Sequence, residues 1–326
     1  ISNHITKKVA DRLEDLFKNE RDKLEEKWDN LKLFIEYGML SDEKFSERGE
    51  KFALLKNCDN KYFSYEEYKK LIETNQTDKN KRVVYLYSTS VQDQFSYIES
   101  ARNRGYDVLL FDSQLDSHFV NHLESKFKDS TFARVDSDHI DKLILKEEIS
   151  KPQITDDESN DIGNAFEAVL PEGSHYHITI ENLGENENAV LITQSEFMRR
   201  YRDMSALGGG MNFYGTLPES YNLIINFNHP LIARIIENKN ESLKDKCDEL
   251  SKRLEEQNHL INELNEKIKG LKTDEVAVTD KDHKERLESE IKSINDERKN
   301  LMISFGKENE LIKQVCDLAL LSNGML

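Results

Sequence analysis

The sequence predicts an α/β segment, built as a three-layer strand–helix unit with long N-terminal helices, followed by an α+β domain with an inserted antiparallel helical hairpin. Three observations lead to this fold class. Two β-branched or aromatic runs flank a helical stretch within 83–111, which is typical of parallel strands joined by a crossover helix. Residues 147–161 are acidic and aperiodic, which favours a linker. Two heptad seams lie within 240–306, and two seams joined by a polar loop indicate a hairpin.

The domain boundaries follow from these observations. We predict a first domain at 1–146, a linker at 147–161, and a second domain at 162–326 that carries the hairpin at 240–306. The chain has 326 residues, which is more than one hydrophobic core usually supports. More than one folded part is therefore expected.

The first domain opens on an amphipathic pattern. Apolar residues recur at helical spacing over 5–17 and again over 24–35, until Gly38 supplies a stop. This spacing predicts one long helix or two abutting helices.

Two short helices are predicted next, at 50–55 and 65–72. Ser64 and Glu67 stand at the spacing of a capping box before the second of them. These helices lead into the strand–helix–strand unit.

That unit places strands at 83–87 and 108–111 on either side of a helix at 94–104. A further helix is predicted at 116–127, because apolar residues recur there every fourth position. An edge strand at 132–135 completes the first domain.

The second domain combines strands with helices. Apolar runs at 177–180 and 189–192 resemble paired strands around a turn at Gly184, and 223–226 offers a third strand. A helix is predicted at 195–206, between the second and third strands.

The hairpin is predicted from alternating steps of four and three residues. The first seam consists of Leu243, Cys247, Leu250, Leu254, Gln257, Ile261, Leu264, Ile268 and Leu271. The second consists of Leu287, Ile291, Ile294, Arg298, Leu301 and Phe305. Polar Gln257 and Arg298 either specify the register of the two arms or mark where the seam frays.

Composition excludes several classes of function. The formal net charge is −17, which repels a polyphosphate backbone, so nucleic acid is not an expected partner. No apolar run reaches the roughly 18 residues of a membrane helix, so a cytoplasmic location without membrane attachment is expected. The widely spaced Cys58, Cys247 and Cys316 indicate neither a disulfide framework nor a zinc site.

Several stretches together carry a family resemblance. They are SYEEY at 64–68, GYDVLLFD at 105–112, ITQ at 192–194, NHPL at 228–231 and DLALL at 317–321. In this order, they resemble the late middle domain and the C-terminal dimerisation domain of heat-shock protein 90 chaperones of the bacterial HtpG type. The hairpin looks like an insertion found in a subset of the bacterial members.

The resemblance implies a C-terminal fragment of an ATP-dependent homodimeric clamp that binds non-native client proteins and, in some members, co-chaperones. The nucleotide-binding domain and the loop with the catalytic arginine are expected before Ile1, so ATP and magnesium belong to the full-length protein. No catalytic, metal or cofactor residue is assigned to this chain. The dimerisation helix is expected to use Leu311, Val315, Leu318 and Leu321.

Client contact is expected at two places in such proteins. In the helix after Thr193, Phe197, Met198, Tyr201 and Met204 are the predicted contacts. For an arbitrary amphipathic helix, the alternative of a core-facing stripe would be favoured. Phe119 is a second predicted contact, and the alternative is that it packs inward.

Two other classes of function stay open from the sequence. In the first, the chain is a coiled-coil scaffold whose hairpin recruits a fixed partner, with an inert α/β platform. In the second, it is an enzyme with a site near Asp112 and Ser113, at a strand end. The glycines at 208–210 follow a predicted helix, which favours a hinge over a phosphate loop.

Overall fold

The chain folds into two compact units in a computed structural model. Unit 1 consists of Ile1–Ser150, Ile192–Asn222 and Leu321–Leu326, and unit 2 of Lys151–Leu191 and Leu223–Leu320. Unit 1 therefore includes two later stretches in addition to the predicted first domain. The structure describes residues 2–147, 150–173, 175–185, 187–200, 220–269 and 278–325.

Unit 1 begins with three helices, α1 (Ser2–Asn19), α2 (Arg21–Ser41) and α3 (Glu43–Gly49). The first two are the predicted abutting helices. The predicted stop at Gly38 is wrong, because α2 runs on to Ser41. A Cβ at Gly38 would lie 2.8 Å from a ring carbon of Phe45, so this glycine allows α3 to pack closely against α2.

A small antiparallel ladder follows, in which β1 (Leu55–Lys56) pairs with β2 (Tyr62–Phe63). The helix predicted at 50–55 is wrong. Residues 52–55 are all buried, and four consecutive side chains cannot share one face of a helix. The helix α4 (Tyr65–Ile72) forms as predicted, with both hydrogen bonds of the Ser64–Glu67 capping box.

A parallel three-stranded sheet lies at the centre of unit 1, in the order β4-β3-β5. All six residues of the middle strand are buried, as expected when helices cover both faces of a parallel sheet. The predicted strand–helix–strand unit and the following helix and strand are present. Their bounds are β3 (Val83–Ser88), α5 (Phe95–Asn103), β4 (Val108–Leu110), α6 (Asp116–Lys126), β5 (Ser130–Arg134) and the short α7 (Ile140–Leu143).

A second sheet has the order β6-β8-β7. Its strands are β6 (His175–Glu181), β7 (Val190–Thr193) and β8 (Ser220–Asn226). The predicted pairing of the first two strands around Gly184 is wrong, because β8 lies between them. The last four residues of β8 are all buried, and a strand of this kind is suited to the central position.

Unit 2 contains three long helical segments, α8 (Asp156–Glu167), α9 (Pro230–Ile268) and α10 (Val278–Glu308). The first six residues of α8 were predicted to belong to the linker. A Thr155–Glu158 capping box begins this helix. A Cβ at Gly306 of α10 would lie 2.0 Å from the carbonyl oxygen of Ala165, so α8 and α10 are in backbone contact.

The two arms of the hairpin run antiparallel. Arg253 of α9 pairs with Glu297 of α10 at 3.1 Å, and Lys267 pairs with Asp280 at 2.7 Å. Later residues of α9 therefore pair with earlier residues of α10. The described seam residues are buried or half-buried, which confirms the predicted periodicity. Leu271 of the first seam lies outside the described residues. A final helix, α11 (Glu310–Ser322), follows Asn309.

Candidate functional site

The predicted client-contact helix begins at Glu196, and its first turn, 196–200, is described. The Glu196 carboxylate accepts hydrogen bonds from the Tyr87 hydroxyl on β3 and from the Arg134 backbone N–H on β5, the second at 2.9 Å. Burial raises the pKa of the Tyr87 hydroxyl, and the carboxylate beside it adds to this effect. The hydroxyl is thus a fixed donor that holds the start of the turn to the parallel sheet.

Arg200 holds the other end of the same turn. Its guanidinium pairs with Glu196 at 2.6 Å and with Glu124 of α6 at 2.7 Å, and donates to the Phe132 carbonyl oxygen at 2.9 Å. Burial lowers the pKa of this guanidinium, but the hydrogen bond and charge of Glu124 and the charge of Glu196 outweigh burial and raise it. The charged side chains of the turn therefore face the body of unit 1.

Phe197 lies in the same turn and is 74% exposed. Met198 is half-buried. Most amphipathic helices turn their apolar side chains inward, whereas in this turn the ionic side chains are half-buried and the ring of Phe197 is exposed. The other predicted contacts, Tyr201 and Met204, lie outside the described residues.

Phe119 does not share this exposed position. It is 3% exposed and belongs to the core of unit 1, where its ring stacks on His122 with centroids 6.0 Å apart. The structure favours the alternative that Phe119 packs inward, since its spacing with Leu123 on α6 places both residues on the buried face.

A buried ionic cluster holds the start of α6 against α2. Lys32 donates to Asp116 at 3.2 Å and to Asp112 at 3.3 Å. Its distance to the Glu36 carboxylate is 4.0 Å. The Ser113 hydroxyl lies 2.7 Å from Asp116 and 3.2 Å from Glu36. The cluster thus gathers three carboxylates around one ammonium.

Glu36 is the least compensated member of this cluster. It is 2% exposed, and burial, with the Asp116 carboxylate adding to it, raises its pKa to about 8. Burial also raises the pKa of Asp116, although Lys32 opposes the shift. Of this cluster, the sequence indicated only Asp112 and Ser113 at the strand end, because Lys32 and Glu36 come from the distant helix α2.

The predicted dimerisation residues on α11 fall into two groups. Val315 is buried within the chain and Leu311 is half-buried. Leu318 and Leu321 are each 63% exposed, and their i, i+3 spacing puts them on one face of the helix.

A second buried ionic cluster lies in unit 2. Asp161 of α8 pairs with Arg298 of α10 at 2.6 Å and with Lys239 of α9 at 3.3 Å. Arg298 also pairs with the exposed Asp157 at 3.1 Å and donates to the Ser251 hydroxyl at 2.9 Å. Of the two alternatives for Arg298, a position that specifies register agrees better with these contacts than a frayed seam.

The described part of the chain lacks a metal site and a membrane-spanning helix. No group of three or more His, Cys, Asp or Glu side chains there has the arrangement of a metal site. Cys58, Cys247 and Cys316 are free and buried, and burial raises the pKa of Cys58 and Cys316 to about 12. None of the described helices combines the length and apolar composition that crossing a bilayer requires. The glycines at 208–210 lie outside the described residues.

Comparison with known proteins adds a family to this geometry. The family model described as "Hsp90 protein" matches residues 1–260. The chain is 47% identical over 328 residues to "Chaperone protein HtpG" of Porphyromonas gingivalis, covering 100% of this chain and 48% of that protein. Over the same shares it is 40% identical to "Chaperone protein HtpG" of Bacteroides thetaiotaomicron and 39% identical to that of Bacteroides fragilis.

The chain thus spans about half the length of the curated relatives that it matches. The match to the family model covers most of the chain, from the three N-terminal helices of unit 1 into the first arm of the hairpin. Four of the five stretches that carried the resemblance, at 64–68, 105–112, 192–194 and 228–231, lie inside it, and the fifth, at 317–321, lies outside it. The chain belongs to the Hsp90 protein family.

Proposed function

We propose that this chain supplies client-binding and self-association surfaces to a molecular chaperone. The observation that carries the proposal is that relatives named as chaperone proteins match the whole chain at 39–47% identity. In this proposal the intact protein is a homodimeric clamp that depends on ATP and magnesium, and this chain spans about half the length of such relatives. A cytoplasmic location and contact with co-chaperones remain expectations.

The turn at 196–200 is the proposed client contact. Its support is the exposed ring of Phe197 on a turn whose charged side chains are held by unit 1. Contact with almost any apolar partner removes an exposed apolar group from water and lowers the free energy, so such a group binds without sequence specificity. Met198, Tyr201 and Met204 belong to the proposal by their spacing, and Phe119 is withdrawn from it.

Self-association is proposed at α11. Its support is the pair of exposed leucines, Leu318 and Leu321, whereas Val315 is occupied in the fold of the chain itself. Apolar residues in the fully buried centre of an interface are typical of homodimers.

The client contact can be tested with a matched pair of variants. Phe197→Ser removes a ring that is 74% exposed, and Phe34→Ser on α2 removes one that is 75% exposed. Burying a Phe side chain contributes about 1.5–3 kcal/mol, so Phe197→Ser is expected to weaken client binding about tenfold or more. The measurement is suppression of client aggregation, followed by light scattering over a range of chaperone concentrations.

Phe34→Ser serves as the control, because it removes equal exposed apolar area elsewhere in unit 1. Both variants should fold, since each side chain is mostly in water, and circular dichroism checks this. Equal loss of protection in the two variants would assign the effect to general surface hydrophobicity. Unchanged protection by Phe197→Ser combined with Tyr201→Ser and Met204→Ser would remove this helix from client binding.

A further inference from the structure

Unit 1 contains a cavity that is lined mostly by polar side chains, in contrast to the exposed apolar ring of Phe197. It has a volume of about 340 Å³ and lies at the carboxyl ends of β3 and β5. The chain leaves β3 for β4 on one side and reaches β5 on the other. Ligands of open α/β sheets commonly bind outside the carboxyl ends of strands at such a reversal.

The charged side chains that line the cavity are the guanidinium groups of Arg134 and Arg199 and the carboxylates of Asp93 and Asp136. Arg134 donates two hydrogen bonds to the Asp136 carboxylate, at 2.8 and 3.0 Å. Arg199 donates to the same carboxylate at 2.6 Å and to Gln194 at 2.9 Å. Two guanidinium groups therefore share one buried carboxylate, and their other N–H groups make no hydrogen bond within the described residues.

Gln94 provides a second and independent feature. It is 3% exposed, and its Oε1 accepts hydrogen bonds from Ser88 and from the backbone N–H of Thr89. Its Nε2 is buried at the cavity wall without a hydrogen-bond partner in the described chain. Burial raises the pKa of the nearby Asp136 carboxyl, and Arg134 and Gln94 oppose this shift. A buried amide donor of this kind costs free energy unless something accepts from it.

The N-terminus of α5 begins immediately after Gln94. The unpaired N–H groups at a helix N-terminus carry partial positive charge. Asp93 is the carboxylate at the rim that opposes an anion, but it is exposed, and water and salt screen its field.

We propose that this cavity binds a small oxyanion, a phosphate or a carboxylate group, between the guanidinium groups of Arg134 and Arg199 and the amide nitrogen of Gln94. Guanidinium groups favour oxyanions because their N–H donors match the acceptor spacing. The ligand would accept hydrogen bonds from the N–H groups that do not donate to Asp136. The cavity shares Arg199 with the turn proposed for client contact, but its test measures anion binding alone.

The test is isothermal titration of the 326-residue chain with inorganic phosphate and, separately, with acetate, at constant ionic strength. Arg199→Gln removes one guanidinium. Gln94→Glu keeps the acceptor for Ser88 and Thr89 but replaces the donor by an oxygen. Arg102→Gln, also in unit 1 but outside this cavity, removes a charge of the same sign and is the control.

Saturable binding is expected for at least one anion, weakened about tenfold, or about 1.4 kcal/mol, in both cavity variants and unchanged within twofold in Arg102→Gln. The titration that saturates, with phosphate or with acetate, identifies the class of oxyanion. Circular dichroism checks the fold of each variant. Arg199→Gln removes a guanidinium group and Gln94→Glu removes an amide donor, so the two cavity variants test different parts of the site. The proposal is overturned if neither anion binds saturably, or if Arg102→Gln weakens binding as much as the two cavity variants do.

Discussion

The buried cluster around Asp161 makes the sharpest prediction about stability. Asp161→Asn keeps the size of the side chain but removes the negative charge that faces Arg298 and Lys239. The side chains of Asp161 and Lys239 are 2% and 7% exposed, and that of Arg298 is 12% exposed. Two cations would then remain in a largely dry site with one exposed carboxylate, Asp157, to balance them.

The magnitude follows from the burial of the three groups. Removing one partner of a buried ion pair costs about 3–5 kcal/mol. Because Asp157 still reaches Arg298 at 3.1 Å, we expect the lower end, about 3 kcal/mol. Asp157→Asn is the matched control, since its side chain is 53% exposed and exposed pairs contribute about 0–1 kcal/mol.

The two units can be followed separately during unfolding in urea. Trp28, the single tryptophan, is buried in unit 1, so its fluorescence reports that unit. Far-ultraviolet circular dichroism is dominated by helices, of which α9 and α10 are the longest described. With an m-value of about 2 kcal/mol/M, Asp161→Asn should lower the midpoint of the helical transition by about 1.5 M and shift the Trp28 transition less.

Equal midpoints for Asp161→Asn and Asp157→Asn would refute the reasoning, because they would show that burial does not strengthen this pair. A second variant separates charge from packing. Replacing the buried triad together, with Asp161→Leu, Arg298→Met and Lys239→Met, should be close to neutral or stabilising. A loss as large as that of Asp161→Asn alone would mean that the ionic contacts themselves stabilise the packing of α8 on the hairpin.

Two further predictions concern pH and self-association. The folded-state pKa of Glu36 is about 8, above its value in the unfolded chain of about 4.3, so the contribution of this group is fully present below the unfolded pKa and is lost as pH rises to about 8. The free energy of unfolding should therefore fall in that window by at most about 1.4 kcal/mol per pH unit for one proton. Urea titrations at several pH values should show a shallower fall in Glu36→Gln than in the exposed control Glu26→Gln. Equal slopes in the two variants would contradict the assignment. In analytical ultracentrifugation, Leu318→Ser with Leu321→Ser should shift a dimer toward the 38.0 kDa monomer, and identical dimerisation of the double variant and the parent chain would exclude this face as the interface.

Elements with a local signal could be predicted from the sequence. The seam of the hairpin is visible because every third or fourth residue is apolar, and a coiled pair needs no other information to decide which face is buried. The capping box at Ser64 and Glu67 is equally local, since both hydrogen bonds close within three residues. The parallel strands at 83–88 and 108–110 were predicted because strands buried on both faces are continuously apolar.

The errors arose where a single residue type, the order of two strands or a resemblance was interpreted without the contacts between elements. Gly38 was interpreted as a stop, but its missing side chain makes room for Phe45 of the next helix. The two strands beside Gly184 were interpreted as partners, but β8 enters between them. Phe119 was assigned to the surface by resemblance, although its own helical spacing was compatible with the core.

The sequence by itself determined the family, the heptad seams and most helices and strands, because periodicity, capping and colinear resemblance are properties of neighbouring residues. Only the tertiary structure decided which polar groups became sites. Asp161 stood in an acidic stretch that resembled a linker, and its partner Arg298 is 137 positions away. The charge of a carboxylate is visible in a sequence, but whether water or another charge balances it depends on the packing of distant elements, which no local pattern encodes.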